Sequence, residues 1–273
     1  MALKDNSHFR RYELKYTVSE ATAAEIRNYI SNICVLDPHT PSGQRGYIVN
    51  NLYFDTPNRQ FYTDTKFRKM TRYKPRARFY GNRVGEFIWP EIKYRHANII
   101  WKQRRAVKVE KWPELFSICP SERLQPQINS GIGSFEEVIY WHNASPVVHV
   151  RYFREAYVST LEEYGRITFD RRLCYRMLNG SIDLQYREEE MTYYDDPVTM
   201  ITSESKVILE IKVSTMVPSW VIHLIQHFQL KQRPFSKYCY SIDHMAGNTY
   251  SERNARRFHF RQSGLLRQNS QPF

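Results

Sequence analysis

Cysteine is scarce and unpaired in this chain: Cys34, Cys119, Cys174 and Cys239 stand far apart in 273 residues. That spacing excludes a zinc ribbon, a redox dithiol motif and a disulfide scaffold, and it agrees with a reducing compartment. Long apolar runs are missing too, and none approaches the ~20 residues that span a bilayer. The opening residues, MALKDNSHFRRYE, contain no apolar leader core. A cytoplasmic protein without a transmembrane segment is therefore expected, with a membrane-protein partner left open. No internal repeat occurs. His223 and His227 have the spacing of zinc ligands on a helix, but the glutamate of H-E-x-x-H is absent, so packing or surface roles are expected. Acidic residues are in deficit: 28 Asp and Glu face 40 Lys and Arg, leaving a net charge of +12. Such a balance favours an anionic partner.

Aromatic residues are plentiful, with 20 Tyr, 15 Phe and 5 Trp, which suits pleated sheet. Strands are expected at 9–18, 47–55, 74–80, 86–95, 99–110, 146–160, 164–173 and 206–214. The three between 74 and 110 are joined by short polar turns, as in an antiparallel meander. Ser19 precedes a helical pattern carrying Ile26, Tyr29, Ile30 and Ile33, and Pro218 opens a second helix running to about Leu230. Short helices are expected near 58–70, 113–118 and 135–141. Residues 178–205, with their acidic clusters, read as a long hairpin or flap. One domain is expected over 1–250, followed by a basic tail over 251–273.

Within the strands, charge recurs at every second residue. Glu13 and Lys15, Arg76 and Arg78, Glu91 and Lys93, Lys102 and Arg104, Arg166 and Asp170, and Glu210 and Lys212 each share a face, because strand side chains alternate. With Arg154 and Lys237, that set holds ten cations against four carboxylates. An excess of about six charges is prohibitive in a dry interior, so the face must be wet and filled by anions. Arginine forks match phosphate oxygens, and carboxylates are the hard ligands that Mg2+ or Mn2+ takes. A solvated outer face would show the same alternation in any one strand. Closure of the sheet would remove its edges and put the charges inside, with helices outside. The expected fold is therefore α+β and mainly antiparallel: an eight-stranded closed barrel with a charged lumen.

The segments RYELKY (11–16), YIVNNLYFDT (47–56), PRARFYG (75–81), EIKYR (91–95), WKQRRAV (101–107), RYFREAYV (151–158), RITFDRRL (166–173), VILEIKV (207–213) and PFSKY (234–238) occur in that order. The order and content resemble the VTC-type polyphosphate polymerases among the triphosphate tunnel metalloenzymes, from about residue 9 to 240. The resemblance implies phosphate-binding or catalytic roles for Lys15, Arg76, Arg78, Lys93, Lys102, Arg154, Arg166 and Lys237. It implies further substrate contacts from Arg11, Arg104, Tyr152, Lys212 and Ser236. Ligation of Mn2+ or Mg2+ would fall to Glu210, with Glu13, Glu91 and Asp170 as further candidates. Asp170 could equally pair with an arginine, and Asp55 is expected to order the turn before Pro57.

The wider superfamily's hydrolases and cyclases open with E-x-E-x-K; here the register reads Arg11-x-Glu13-x-Lys15. An arginine in place of a carboxylate favours the polymerase branch. The family's inositol-phosphate-sensing domain and membrane helices have no counterpart in these residues. The implied reaction moves the γ-phosphoryl group of ATP onto inorganic polyphosphate or pyrophosphate through a tunnel open at its ends. Two alternatives stay open: a tripolyphosphatase or nucleoside triphosphatase in the same site, and a non-catalytic polyanion-binding module. No nucleic acid is expected, because interleaved carboxylates would repel it.

Overall fold

A computed structural model describes residues 12–97, 99–117, 134–193, 206–214, 216–233 and 235–246. Eleven strands form one antiparallel sheet: β1 (Tyr12–Val18), β2 (Cys34–Leu36), β3 (Tyr47–Asp55), β4 (Thr71–Tyr80), β5 (Phe87–His96), β6 (Ile99–Arg104), β7 (Val107–Lys108), β8 (Ser145–Ser159), β9 (Gly165–Met177), β10 (Thr192–Tyr193) and β11 (Val207–Val213). Eight of them run side by side in the order β1-β11-β9-β8-β3-β4-β5-β6, while β2, β7 and β10 add short pairings to β8, β5 and β9. The β4-β5-β6 meander is as the turn chemistry predicts. The expected strand over 99–110 is broken into β6 and β7.

The helices are α1 (Glu20–Ile30), α2 (Gln60–Lys66), α3 (Phe135–Trp141), α4 (Ser219–His227) and α5 (Lys237–Met245). Ser19 caps α1 by accepting from the Thr22 amide at 3.0 Å, and Ser134 with Glu137 closes a capping box on α3. Asp55 orders the turn before Pro57, as expected, and the start of α2 as well. Its carboxylate accepts from the amides of Thr56, Phe61 and Tyr62 at 2.7–2.8 Å and from the Tyr238 hydroxyl. The expected 178–205 hairpin is described only to residue 193. There Glu188–Glu190 form a 3-10 turn whose Glu190 pairs with Arg176.

Alternation sorts the side chains as the sequence pattern requires. On the convex face, Tyr16, Val18, Ile167, Phe169, Leu209 and Ile211 bury against α1 and α4, while Leu52, Phe54, Phe79, Ile88 and Ile92 bury against α3 and the turns carrying Trp112 and Leu115. On the concave face, Val148, Val150, Leu173, Tyr175 and Ile208 bury against Tyr238, Cys239 and Ile242 of α5. That face is thus divided: α5 fills one end with apolar contact, and the charges hold the rest.

Among the described residues, the expected closure does not occur. β1 and β6 terminate the order of strands and do not pair with each other. The free edge of β1 is taken instead by the segment before α5. The Arg233 amide donates to the Lys15 carbonyl at 3.0 Å, and Lys15 Nζ donates to the Phe235 carbonyl at 3.3 Å. Side chains rather than a ladder reach across the gap, with Lys93 Nζ 3.1 Å from Glu13 Oε2. The other edge, β6, is protected by the exposed Lys102 and Arg104, because edge charges discourage pairing. The sheet is therefore an open, curved one, and the tunnel open at both ends is replaced by a cleft with α5 at one end.

Candidate phosphate-binding site

The charged part of the concave face is built strand by strand. β1 contributes Glu13 and Lys15, β11 Glu210 and Lys212, and their register sets Lys15 opposite Glu210 and Glu13 opposite Lys212. β9 continues the rows with Thr168 beside Glu210 and Arg166 beside Lys212. Arg154 on β8 lies opposite Asp170. On the far side, Arg76 lies between Tyr53 and Glu91, and Arg78 between Asn51 and Trp89. Lys93 lies between Lys74 and Lys102.

Two of the four carboxylates are consumed by arginine. Asp170 takes a two-pronged contact from Arg154, at 2.7 Å from Nε and 2.7 Å from Nη2, and a third from Lys237 Nζ at 2.6 Å. Burial pushes its carboxyl up, but Arg154 and Lys237 outweigh burial and bring it down to about 2. Glu91 pairs with Arg76, and Lys102 stands 3.4 Å away. It too is held well below the usual carboxylate range against its burial, by Arg76, Arg78 and Lys102. These residues act as brackets that fix the arginine forks.

Glu13 and Glu210 form the remaining acidic pair. They face each other, and burial with mutual repulsion raises Glu13; Lys15 and Lys93 reverse this and keep it ionised. Glu210 is likewise raised by burial and brought far down by Lys212, Lys15 and Arg154. Lys15 lies 2.8 Å from Glu13, and Lys212 3.1 Å from Glu210. Among the described residues, no group of three or more His, Cys, Asp and Glu converges as a metal cage would. The four candidate ligands therefore do not meet: Arg76 and Arg154 hold Glu91 and Asp170, and lysines stand beside Glu13 and Glu210. The Glu13–Glu210 pair alone fits a hard cation whose other ligands come from a phosphate substrate and water.

The cations are in excess. Lys74, which the sequence reading passed over, continues the Arg76–Arg78 alternation and donates to Ser236 Oγ at 3.0 Å. It brings the face to eleven cations against four carboxylates. Burial, with repulsion from Lys15, Lys93 and Arg76, lowers Lys74 to about 7. Protein packed around the Lys102 stem, with Arg76, Arg78 and Arg104 nearby, lowers Lys102 to about 8, although 46% of its side chain meets solvent. Lys15 and Lys93 still keep 27% and 39% of their side chains in contact with solvent, although protein surrounds them. That combination describes the wall of a wet cleft.

Other predicted residues take defined places. Tyr152 is buried beneath Lys237 and Arg154, at 4.6 and 5.2 Å from its ring centre. Ser236 caps α5 by accepting from the Cys239 amide at 3.4 Å. Arg166 and Arg104 are exposed at the rim. Arg11 lies outside the described residues. His227 stacks on Tyr29, as a packing role predicts.

A family model for the VTC domain matches residues 10–246. The chain belongs to the VTC domain family. No curated protein matches it. Solved structures resembling this VTC domain include two proteins named "putative adenylate cyclase". The one from Bacillus halodurans has 11% identity, a TM-score of 0.46, and coverage of 83% of this chain and 95% of that one. The one from Vibrio parahaemolyticus has 12% identity, a TM-score of 0.42, and coverage of 86% and 99%. A Pyrococcus horikoshii protein has 13% identity, a TM-score of 0.41, and coverage of 85% and 99%. No helix among the described residues of the VTC domain is long and apolar enough to cross a membrane.

Proposed function

We propose that this VTC domain is a metal-dependent polyphosphate polymerase, transferring the γ-phosphoryl group of ATP to inorganic polyphosphate or a pyrophosphate primer. The observation that carries the reading is the surplus of inward cations over carboxylates on a wet cleft, with Glu91 and Asp170 already bracketed by arginine. Phosphoryl transfer takes most of its acceleration from positioning and charge neutralisation. The acceptor oxygen is already anionic, so no general base is required. The bond from the γ-phosphorus to the β–γ bridging oxygen breaks, a bond to the terminal acceptor oxygen forms, and ADP leaves.

In this reading Arg76, Arg78 and Arg154 hold phosphate oxygens in orientations fixed by Glu91, Asn51 and Asp170. Lys15, Lys74, Lys93 and Lys237 offset the repulsion between donor and acceptor chains. Lys102, Arg104, Arg166 and Lys212 extend the same field toward solvent. Glu13 and Glu210 would hold the Mg2+ or Mn2+, which when bound would neutralise charge on the transferring phosphates. The catalytic unit is proposed to be residues 1–250, working in the cytoplasm, with 251–273 as an appended basic segment.

Glu210→Gln and Arg76→Ala are each expected to abolish polymer synthesis while keeping the fold. The check is polymer yield from purified variants whose circular dichroism matches the wild type. Wild-type yield from either variant would remove the reading.

A further inference from the structure

The phosphate reading leaves an aromatic rim unexplained. On the concave face, where β4 and β5 leave the charged rows, Tyr80, Trp89 and Phe87 succeed Arg78 and Glu91. Their ring centres are 5.3 Å apart for Tyr80 and Trp89 and 6.4 Å for Phe87 and Trp89. Tyr47 of β3 meets Tyr80 edge-on at 5.8 Å. All four are half-buried, and Trp89 and Phe87 join none of the three buried clusters of the described residues. Arg104 lies over Trp89 at 5.2 Å and donates to the Tyr80 hydroxyl at 3.3 Å. A wall built only for phosphate has no use for these rings, since phosphate presents no π-face and needs donors. A row of half-exposed rings beside an arginine is the composition of a base-stacking platform.

The placement also fits. Tyr80 follows Arg78 by two residues, about 7 Å along a strand, so a triphosphate on Arg76 and Arg78 would direct its nucleoside toward the rim. We infer that Tyr80 and Trp89, with Arg104, form a nucleobase subsite that seats the donor nucleotide with its triphosphate inward. The inference rests on the triphosphate reading and adds what that reading lacks: discrimination between a nucleotide donor and an inorganic chain. Recognition by ring faces accepts any base and favours the larger purines. ATP and GTP should therefore bind alike, and both more tightly than UTP.

The test is calorimetric binding of ATP and of inorganic tripolyphosphate, with tryptophan fluorescence read in parallel. For wild type, ATP should quench fluorescence and tripolyphosphate should not. Trp89→Leu should lower ATP affinity about tenfold, the scale of one lost base stack. It should abolish the quench and leave tripolyphosphate affinity within twofold, while Trp89→Phe should restore ATP binding. Equal losses for both ligands in Trp89→Leu, or no loss for ATP, would overturn the subsite while leaving the phosphate site standing. Binding of neither ligand by the folded wild type would overturn both.

Discussion

Lys74 sits where the cost of gathering cations is greatest. Its neighbours are Lys15, Lys93 and Arg76, and burial with their repulsion brings it from 10.5 to about 7. The consequence for pH has a definite sign. Between about 7 and 10.5 the unfolded chain still binds the proton that the native site has released, so Lys74 makes stability rise with pH across that window. Anion binding has the opposite sense, because a phosphate beside Lys74 favours the charged form. Binding of tripolyphosphate just above neutrality should therefore take up protons, and affinity should fall as pH rises past 7 and then past 8, where Lys102 titrates. Calorimetry in buffers of different ionisation heat measures the uptake, and Lys74→Met should reduce it. Unchanged uptake in that variant would show that the proton goes elsewhere.

At the scale of elements, the site depends on how closely strands approach. Gly46 precedes β3 where β8 passes, and a Cβ there would lie 2.2 Å from the Arg154 carbonyl oxygen. Backbone cannot yield as a side-chain tip can. Gly46→Ala should destabilise the protein by about 1–3 kcal/mol, the usual scale of overpacking, and should weaken phosphate binding through displaced Arg154. Urea unfolding and tripolyphosphate titration read the two effects.

The strands themselves were legible because alternation is a local property: Glu13 with Lys15, or Glu210 with Lys212, declare a face without knowledge of its neighbour. Lys74 is equally legible, one step back along the Arg76–Arg78 pattern, but it stands just outside the PRARFYG segment that carries the resemblance. α5 was also missed. Its signal is Ser236 as a cap followed by Tyr238, Cys239 and Ile242 at helical spacing, but the overlapping PFSKY segment points to a lysine role and not to a helix. Closure was not legible at all, since what lies along the edge of β1 is decided by a segment more than 200 residues away. The bracketing of Glu91 was hidden for the same reason, whereas for Asp170 the arginine pairing that stood beside metal ligation is the one that forms: spacing gives the face and leaves the partner open.

For the whole molecule, the net charge of +12 acts through two kinds of cation. Arg166 and Arg104 are exposed at the rim, where salt screens them and where charge governs encounter. Arg154 and Arg76 are enclosed and bracketed, where charge governs retention. Arg166→Ala should slow association with polyphosphate and flatten its salt dependence while changing dissociation little, as stopped-flow at several ionic strengths would read. A larger effect on dissociation would place Arg166 in contact with the bound chain instead. The central claim is that this cleft passes a phosphoryl group to another phosphate and not to water. Its most direct test is a time course of the purified protein with ATP and Mn2+ or Mg2+, resolving polymer by gel alongside ADP and orthophosphate. The account predicts a lengthening polyphosphate ladder with matching ADP and little orthophosphate, abolished by chelator; orthophosphate without polymer, or no turnover with any metal or primer, would contradict it.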